Sequence, residues 1–144
     1  GVVRIEGESL VSKVTVKKGE VRDQGMAAFG PGWSGNNHLW WTEAGPGDIL
    51  TLKLEGLDPG TKTLTLFPTT APDYAKVKIA INGQLQEADL YSEGVLPGES
   101  LRFEKVNVSP GEPLQIDIHI IGKNEAALAR YMVGFDRFEI EVAK

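Results

Sequence analysis

Leu114, Ile116, Ile118 and Ile120 alternate with Gln115, Asp117 and His119. A period of two fits a strand that buries one face and wets the other. The pattern recurs along the chain. Leu50, Leu52 and Leu54 alternate with Thr51 and Lys53. Val77, Ile79 and Ile81 alternate with Lys78 and Ala80, and Phe138, Ile140 and Val142 with Glu139 and Glu141. Shorter versions lie at Val2–Glu6, Leu10–Val16, Leu64–Leu66 and Leu101–Val108. Between the runs stand Gly45-Pro46-Gly47-Asp48, Asp58-Pro59-Gly60, Asn82-Gly83 and Ser109-Pro110-Gly111. Proline pre-sets φ and glycine accepts a positive φ, so each of these turns the chain. Asn82-Gly83 between two strands predicts a type I′ hairpin. One helical signal interrupts the series: Glu125–Met132, with three alanines and a leucine, predicts a short helix. Many short strands with turns between them predict an all-β, antiparallel β-sandwich or barrel.

A chain of 144 residues is enough for one domain with its own core. It opens at Gly1 directly into a strand pattern, which reads as a single domain, residues 1–144, excised from a longer multidomain protein. Twenty acidic against fifteen basic residues leave a formal charge of -5, which argues against a nucleic-acid partner. No apolar run approaches the ~20 residues that span a bilayer, so no membrane partner is expected. Cysteine is absent, which removes disulfides, thiolate nucleophiles and zinc-thiolate sites.

The chemistry concentrates in Phe29–Trp41, FGPGWSGNNHLWW, which holds all three tryptophans. Its glycines and Pro31 read as loop, and Leu39-Trp40-Trp41 runs into a strand. Strand alternation forbids both Trp40 and Trp41 from being core. An indole left outside, with Asn36, Asn37 and His38 beside it, supplies an aromatic plane for the C–H face of a sugar and polar groups for its hydroxyls. Trp33 or Trp40 would be that plane. The competing reading makes Trp41 and Leu39 core and Trp33 a cover over one end of the sandwich. Loops converge at a sandwich end, so Asp73, Tyr74 and Tyr91 are further candidates for ligand binding. So are His119, on the polar face of its strand with Asp117, and Asn124 at the strand end. A loop asparagine also serves as a turn former, and a polar pair on a strand face also serves merely as wetted surface.

The order of motifs resembles that of galactose-binding-domain-like jelly rolls, including family 6 and family 35 carbohydrate-binding modules. Ile5-Glu6-Gly7-Glu8 resembles their opening Ile-Glu-Ala-Glu, and Gly47–Leu52 their Gly-Asp-aromatic strand. Leu57–Leu64 resembles their Gly-Thr-Tyr-Thr-Leu strand, Val77–Gly83 the hairpin ending in Asn-Gly, and Gly134–Ile140 the closing Asp-aromatic-hydrophobic strand. Gly7 stands where alanine is usual, and Lys62 where an aromatic is usual. The long aromatic stretch looks more like the Trp-Ser-Gly segment of jelly-roll domains appended to bacterial multidomain hydrolases. The resemblance implies a jelly roll of two antiparallel sheets. It implies a non-catalytic carbohydrate-binding module of a secreted or cell-surface bacterial protein, targeting an attached enzyme to a polysaccharide or oligosaccharide. First and last strands are neighbours in that architecture, so it also implies a structural Ca²⁺ held by Glu6, Glu8 and Asp136, hard oxygen ligands suited to calcium.

No Gly-x-Ser-x-Gly elbow, His-Glu-x-x-His or phosphate loop is present. Two histidines are few for a metal hydrolase, and no carboxylate pair is singled out by spacing. The expectation is a binding module and not an enzyme. The alternative is a structural or interaction jelly roll packing against a neighbouring catalytic domain, with the aromatic stretch as the contact.

Overall fold

The computed structural model describes residues 1–143. Its strands are β1 (Val2–Glu6), β2 (Thr15–Val16), β3 (Glu20–Gly25), β4 (Asn37–Thr42), β5 (Ile49–Leu54) and β6 (Gly60–Thr70). They continue with β7 (Lys76–Ile81), β8 (Gln84–Asp89), β9 (Leu96–Pro97), β10 (Leu101–Val108), β11 (Leu114–Gly122) and β12 (Val133–Val142). One sheet runs β10-β6-β12-β4-β3, with β1 added on β12 and β9 on β6. The other runs β2-β5-β11-β7-β8. All strand pairs are antiparallel.

The alternating runs do what their period requires. Leu50, Leu52, Leu54, Val77, Ile79, Ile81, Ile116 and Ile118 face Leu64, Leu66, Phe103, Phe135 and Phe138 across the sandwich, all buried. Asn82 and Gly83 both take positive φ, 50° and 77°, and join β7 to β8 with Ile81 opposite Gln84. One open side of the sandwich is stitched by amides. Asn82, Gln84 and Gln86, alternate residues from the hairpin into β8, donate side-chain N–H groups to the carbonyls of Asn107, Glu104 and Arg102 on β10. That occupies carbonyls an edge strand would otherwise offer to another chain.

Two local expectations are corrected. Leu10 is buried, but in a 3₁₀ turn over Gly7–Lys13 and not in a strand. Glu125–Met132 is a series of turns and not a helix. Asn124 accepts from the backbone N–H of Ala126 and Ala127, while Leu128 and Met132 donate theirs to the carbonyls of Pro72 and Asp73. Bonds to a distant loop therefore replace the i to i−4 ladder, and helix propensity is overruled. The same bonds hold loops 71–75 and 124–132 together at one end of the sandwich.

Candidate functional site

In β4, Leu39 and Trp41 belong to the core, while Trp40, on the other face of the strand, is only partly buried and packs at the margin of the core. Trp41 is sealed, its indole N–H donating to the Lys18 carbonyl at 3.0 Å. Trp40 is half-buried and forms part of a groove of about 310 Å³. Gln24, Asp73, Tyr74, Leu128 and Phe29 line it with Trp40. Phe29 and Leu128 are 45% and 56% exposed, so the rim keeps apolar surface in water. Asp73 is approached by the exposed Arg130 guanidinium at 3.8 Å. The Arg22 guanidinium lies 5.8 Å from the Trp40 ring centroid. Burial, and then the Asp73 charge, push the Tyr74 hydroxyl above its ordinary range, so it stays protonated. The groove thus combines an aromatic plane, an apolar rim and a carboxylate acceptor. Sugar chemistry needs these groups.

Trp40, Asp73 and Tyr74 are the sequence candidates the fold brings together. Trp33 is not with them. It is 4% exposed, with its indole N–H donating to Thr69 Oγ1 at 2.9 Å, so the expectation that it stands in water is overturned. The cause is a fold-back of the loop. Ser34 donates its backbone N–H to Asp136 Oδ1 at 3.0 Å and its hydroxyl to Glu6 Oε1 at 2.6 Å, which pins the next turn down. His38 is fully buried behind the groove and not open to a ligand. Its Nδ1 lies 2.8 Å from Thr69 Oγ1 and its Nε2 2.7 Å from Gln24 Oε1. Burial lowers its pKa to about 4, so the ring is neutral near pH 7.

The remaining candidates lie elsewhere. Asn36 holds a positive φ of 56° in the turn, and Asn37 donates to the Gly35 carbonyl at 2.9 Å; both shape the loop. Tyr91 lines a separate, more polar groove with Glu87, Asp89 and Glu99. His119 sits between Ile49 and Lys78 on the outer face of the five-stranded sheet. Asn124 is spent on Ala126 N–H and on Asp89 Oδ2 at 2.8 Å. Gln24, Phe29 and Leu128 are groove residues the sequence candidates did not include. Gln24 lies in a stretch without clear periodicity, and only its register opposite His38 marks it.

Glu6, Glu8 and Asp136 do converge in charge. Burial raises the Glu8 pKa, and the Glu6, Asp23 and Asp136 charges raise it further against a backbone hydrogen bond. Burial also raises that of Asp136, against the pull of Arg137 and the Ser34 N–H. Glu6 Oε2 and Glu8 Oε1 are buried without a hydrogen-bond partner. Both Asp136 oxygens are engaged, Oδ2 by Arg137 at 2.7 Å. Among the described residues no group of three or more His, Cys, Asp or Glu side chains is placed so that it could hold a metal ion. Glu6 and Glu8 are thus left with unmet acceptor capacity beside the Asp136 charge.

Among the described residues no helix is long and apolar enough to cross a membrane. No protein-family model matches the sequence, and no curated protein matches it. Solved structures do match. A xanthan lyase from Paenibacillus superposes at a TM-score of 0.68 and 18% identity, covering 98% of this chain, which spans only 13% of that one. A CBM35 domain from Paenibacillus barcinonensis superposes at 0.58 and 14% identity, over 98% of this chain and 99% of that one. The CBM36-1 domain of a multidomain xylanase, from the hindgut metagenome of Trinervitermes trinervoides, superposes at 0.54 and 15% identity, over 100% and 99%. Those last two cover this chain end to end. The chain has the all-β, two-sheet jelly-roll fold of CBM35 and CBM36 domains and of accessory domains of multidomain glycoside hydrolases.

Proposed function

We propose that the chain is a non-catalytic carbohydrate-binding module acting outside the cell, delivering an attached enzyme to a glycan. The observation that carries this reading is Trp40, half-exposed in a groove with an apolar rim and Asp73 at its wall. A pyranose lays its C–H face on the indole, and Asp73 accepts protons from its hydroxyls. Trp40→Ala is expected to weaken binding at least tenfold, roughly 1.4 kcal/mol, in calorimetric titration against a panel of soluble glycans. A tight-binding glycan whose affinity is unchanged in that variant would move the site off the groove. A second reading, packing against a neighbouring catalytic domain, is favoured by the exposed Val2, Val3 and Val142 around a second surface pocket, which shares no lining residue with the groove.

The same reading includes a structural Ca²⁺ at Glu6 and Glu8 beside Asp136, offsetting the repulsion among these carboxylates. At a calcium concentration 100 times Kd the fold is expected to gain about 2.7 kcal/mol. That is an upward shift of ~8 °C in the melting temperature, and Glu8→Gln should abolish it. An identical melt in calcium and in chelator would remove the metal from the proposal.

A further inference from the structure

We propose that Gln24 is a ligand-binding donor of the groove, its amide NH₂ turned to the open space by a buried hydrogen-bond chain from Trp33 through Thr69 and His38. The nature of the ligand rests on the carbohydrate reading above; the orientation of the amide does not.

The direction of the chain follows from what each group can do. An indole N–H only donates, so Trp33 gives its proton to Thr69 Oγ1 at 2.9 Å. Thr69 is fully buried and has one hydroxyl proton of its own to place. His38 Nδ1, 2.8 Å away, is the acceptor it has among the described residues. Nδ1 is therefore bare, and the neutral ring carries its proton on Nε2. Nε2–H then donates to Gln24 Oε1 at 2.7 Å. In the opposite tautomer Thr69 would receive two N–H groups and bury its own proton without an acceptor, which is costly. Burial also holds His38 neutral, with a pKa near 4, so a doubly protonated ring does not intervene near pH 7. With its oxygen taken by His38, the Gln24 amide has two N–H donors left. Neither has a partner among the described residues.

Gln24 and Trp40 line the same groove. A sugar lying on Trp40 therefore meets a donor at Gln24 and an acceptor at Asp73. The groove selects a saccharide that turns an acceptor oxygen, a hydroxyl or a carboxylate, towards Gln24. Gln24 contacts the ligand; Thr69 and His38 are positioning residues.

The test uses the domain labelled with ¹⁵N and three probes: xylohexaose, mannopentaose and an oligogalacturonate. In the free protein the His38 nitrogens are expected to show a bare Nδ1 and a protonated Nε2. A binding saccharide is expected to shift the Gln24 side-chain amide together with the Trp40 indole, the neutral probes indicating a hydroxyl acceptor and the galacturonate a carboxylate. Gln24→Glu keeps an acceptor for His38 but replaces the donor, and should weaken binding about tenfold. Thr69→Val should scramble the tautomer and weaken binding, while Thr69→Ser restores both. The Nδ1-protonated tautomer overturns the inference, as does a saccharide that shifts Trp40 but not Gln24; both leave the proposed function standing. Silence at both residues with all three probes overturns the inference and the groove together.

Discussion

Replacing Gly7 with alanine is expected to destabilise the domain by about 3 kcal/mol, more than any surface substitution should. Gly7 is buried where the chain leaves β1 for the 3₁₀ turn. A methyl group built there would stand 3.0 Å from the Asp136 carbonyl oxygen and 3.2 Å from the Leu39 backbone nitrogen. It would come closer still to the Phe135 carbonyl. All three obstacles are backbone atoms of β12 and β4, so no side chain can swing aside. The strands must part, and they are the ones that carry Trp40 and Asp136. The resemblance to carbohydrate-binding modules puts alanine at this position. The departure is therefore a consequence of how closely β12 passes in this chain. A fall of roughly 10 °C in the melting temperature is the expected readout by circular dichroism. A fall of less than ~2 °C would mean that the strands separate easily and that Gly7 is not held by sterics. The substitution should also disturb Glu6 and Glu8, which flank Gly7.

The strands were legible because each rests on local information: a period of two and a turn to end it. The I′ hairpin at Asn82-Gly83 and the opposite facing of Trp40 and Trp41 belong to the same class. What the sequence hides are choices made by distant partners. Trp33 looks like an exposed ring on a glycine loop, but Thr69 takes its N–H from 36 positions away, and Glu6 and Asp136 hold the turn that follows it. Glu125–Met132 has the residues of a helix, yet the carbonyls of Pro72 and Asp73 claim its N–H groups. Gln24 has no motif at all; it matters because β3 pairs with β4 in the one register that sets it opposite His38. The same loop now links two regions that looked separate. Ser34 touches the carboxylates, and its neighbour Trp33 begins the chain of hydrogen bonds that ends at the groove.

Acid should loosen the domain through His38, by about 3 kcal/mol between pH 6.5 and pH 4. The unfolded chain binds a proton near pH 6.5, whereas the folded ring resists one until about pH 4 because it is buried. Between those values the unfolded state holds more protons, so unfolding becomes easier as pH falls; above 6.5 the full stability is present, and below 4 this loss levels off. Among the described residues the ring's hydrogen-bond partners are Gln24 and Thr69, with the Gly134 backbone close beside it, and none of these is charged in this range. Glu8 and Asp136 act the other way, since their raised pKa values make protonation favour the folded state as pH falls. The raw stability curve therefore mixes opposite signs, and the comparison that isolates His38 is with His38→Gln. That variant loses the hydrogen-bond chain and is less stable at pH 7, but it has no proton to refuse. Urea denaturation of both proteins from pH 7 to pH 4 should show the gap between them shrinking by most of those 3 kcal/mol. Parallel curves would mean that the ring takes up its proton without strain, and that the core behind the groove is far wetter than its packing implies.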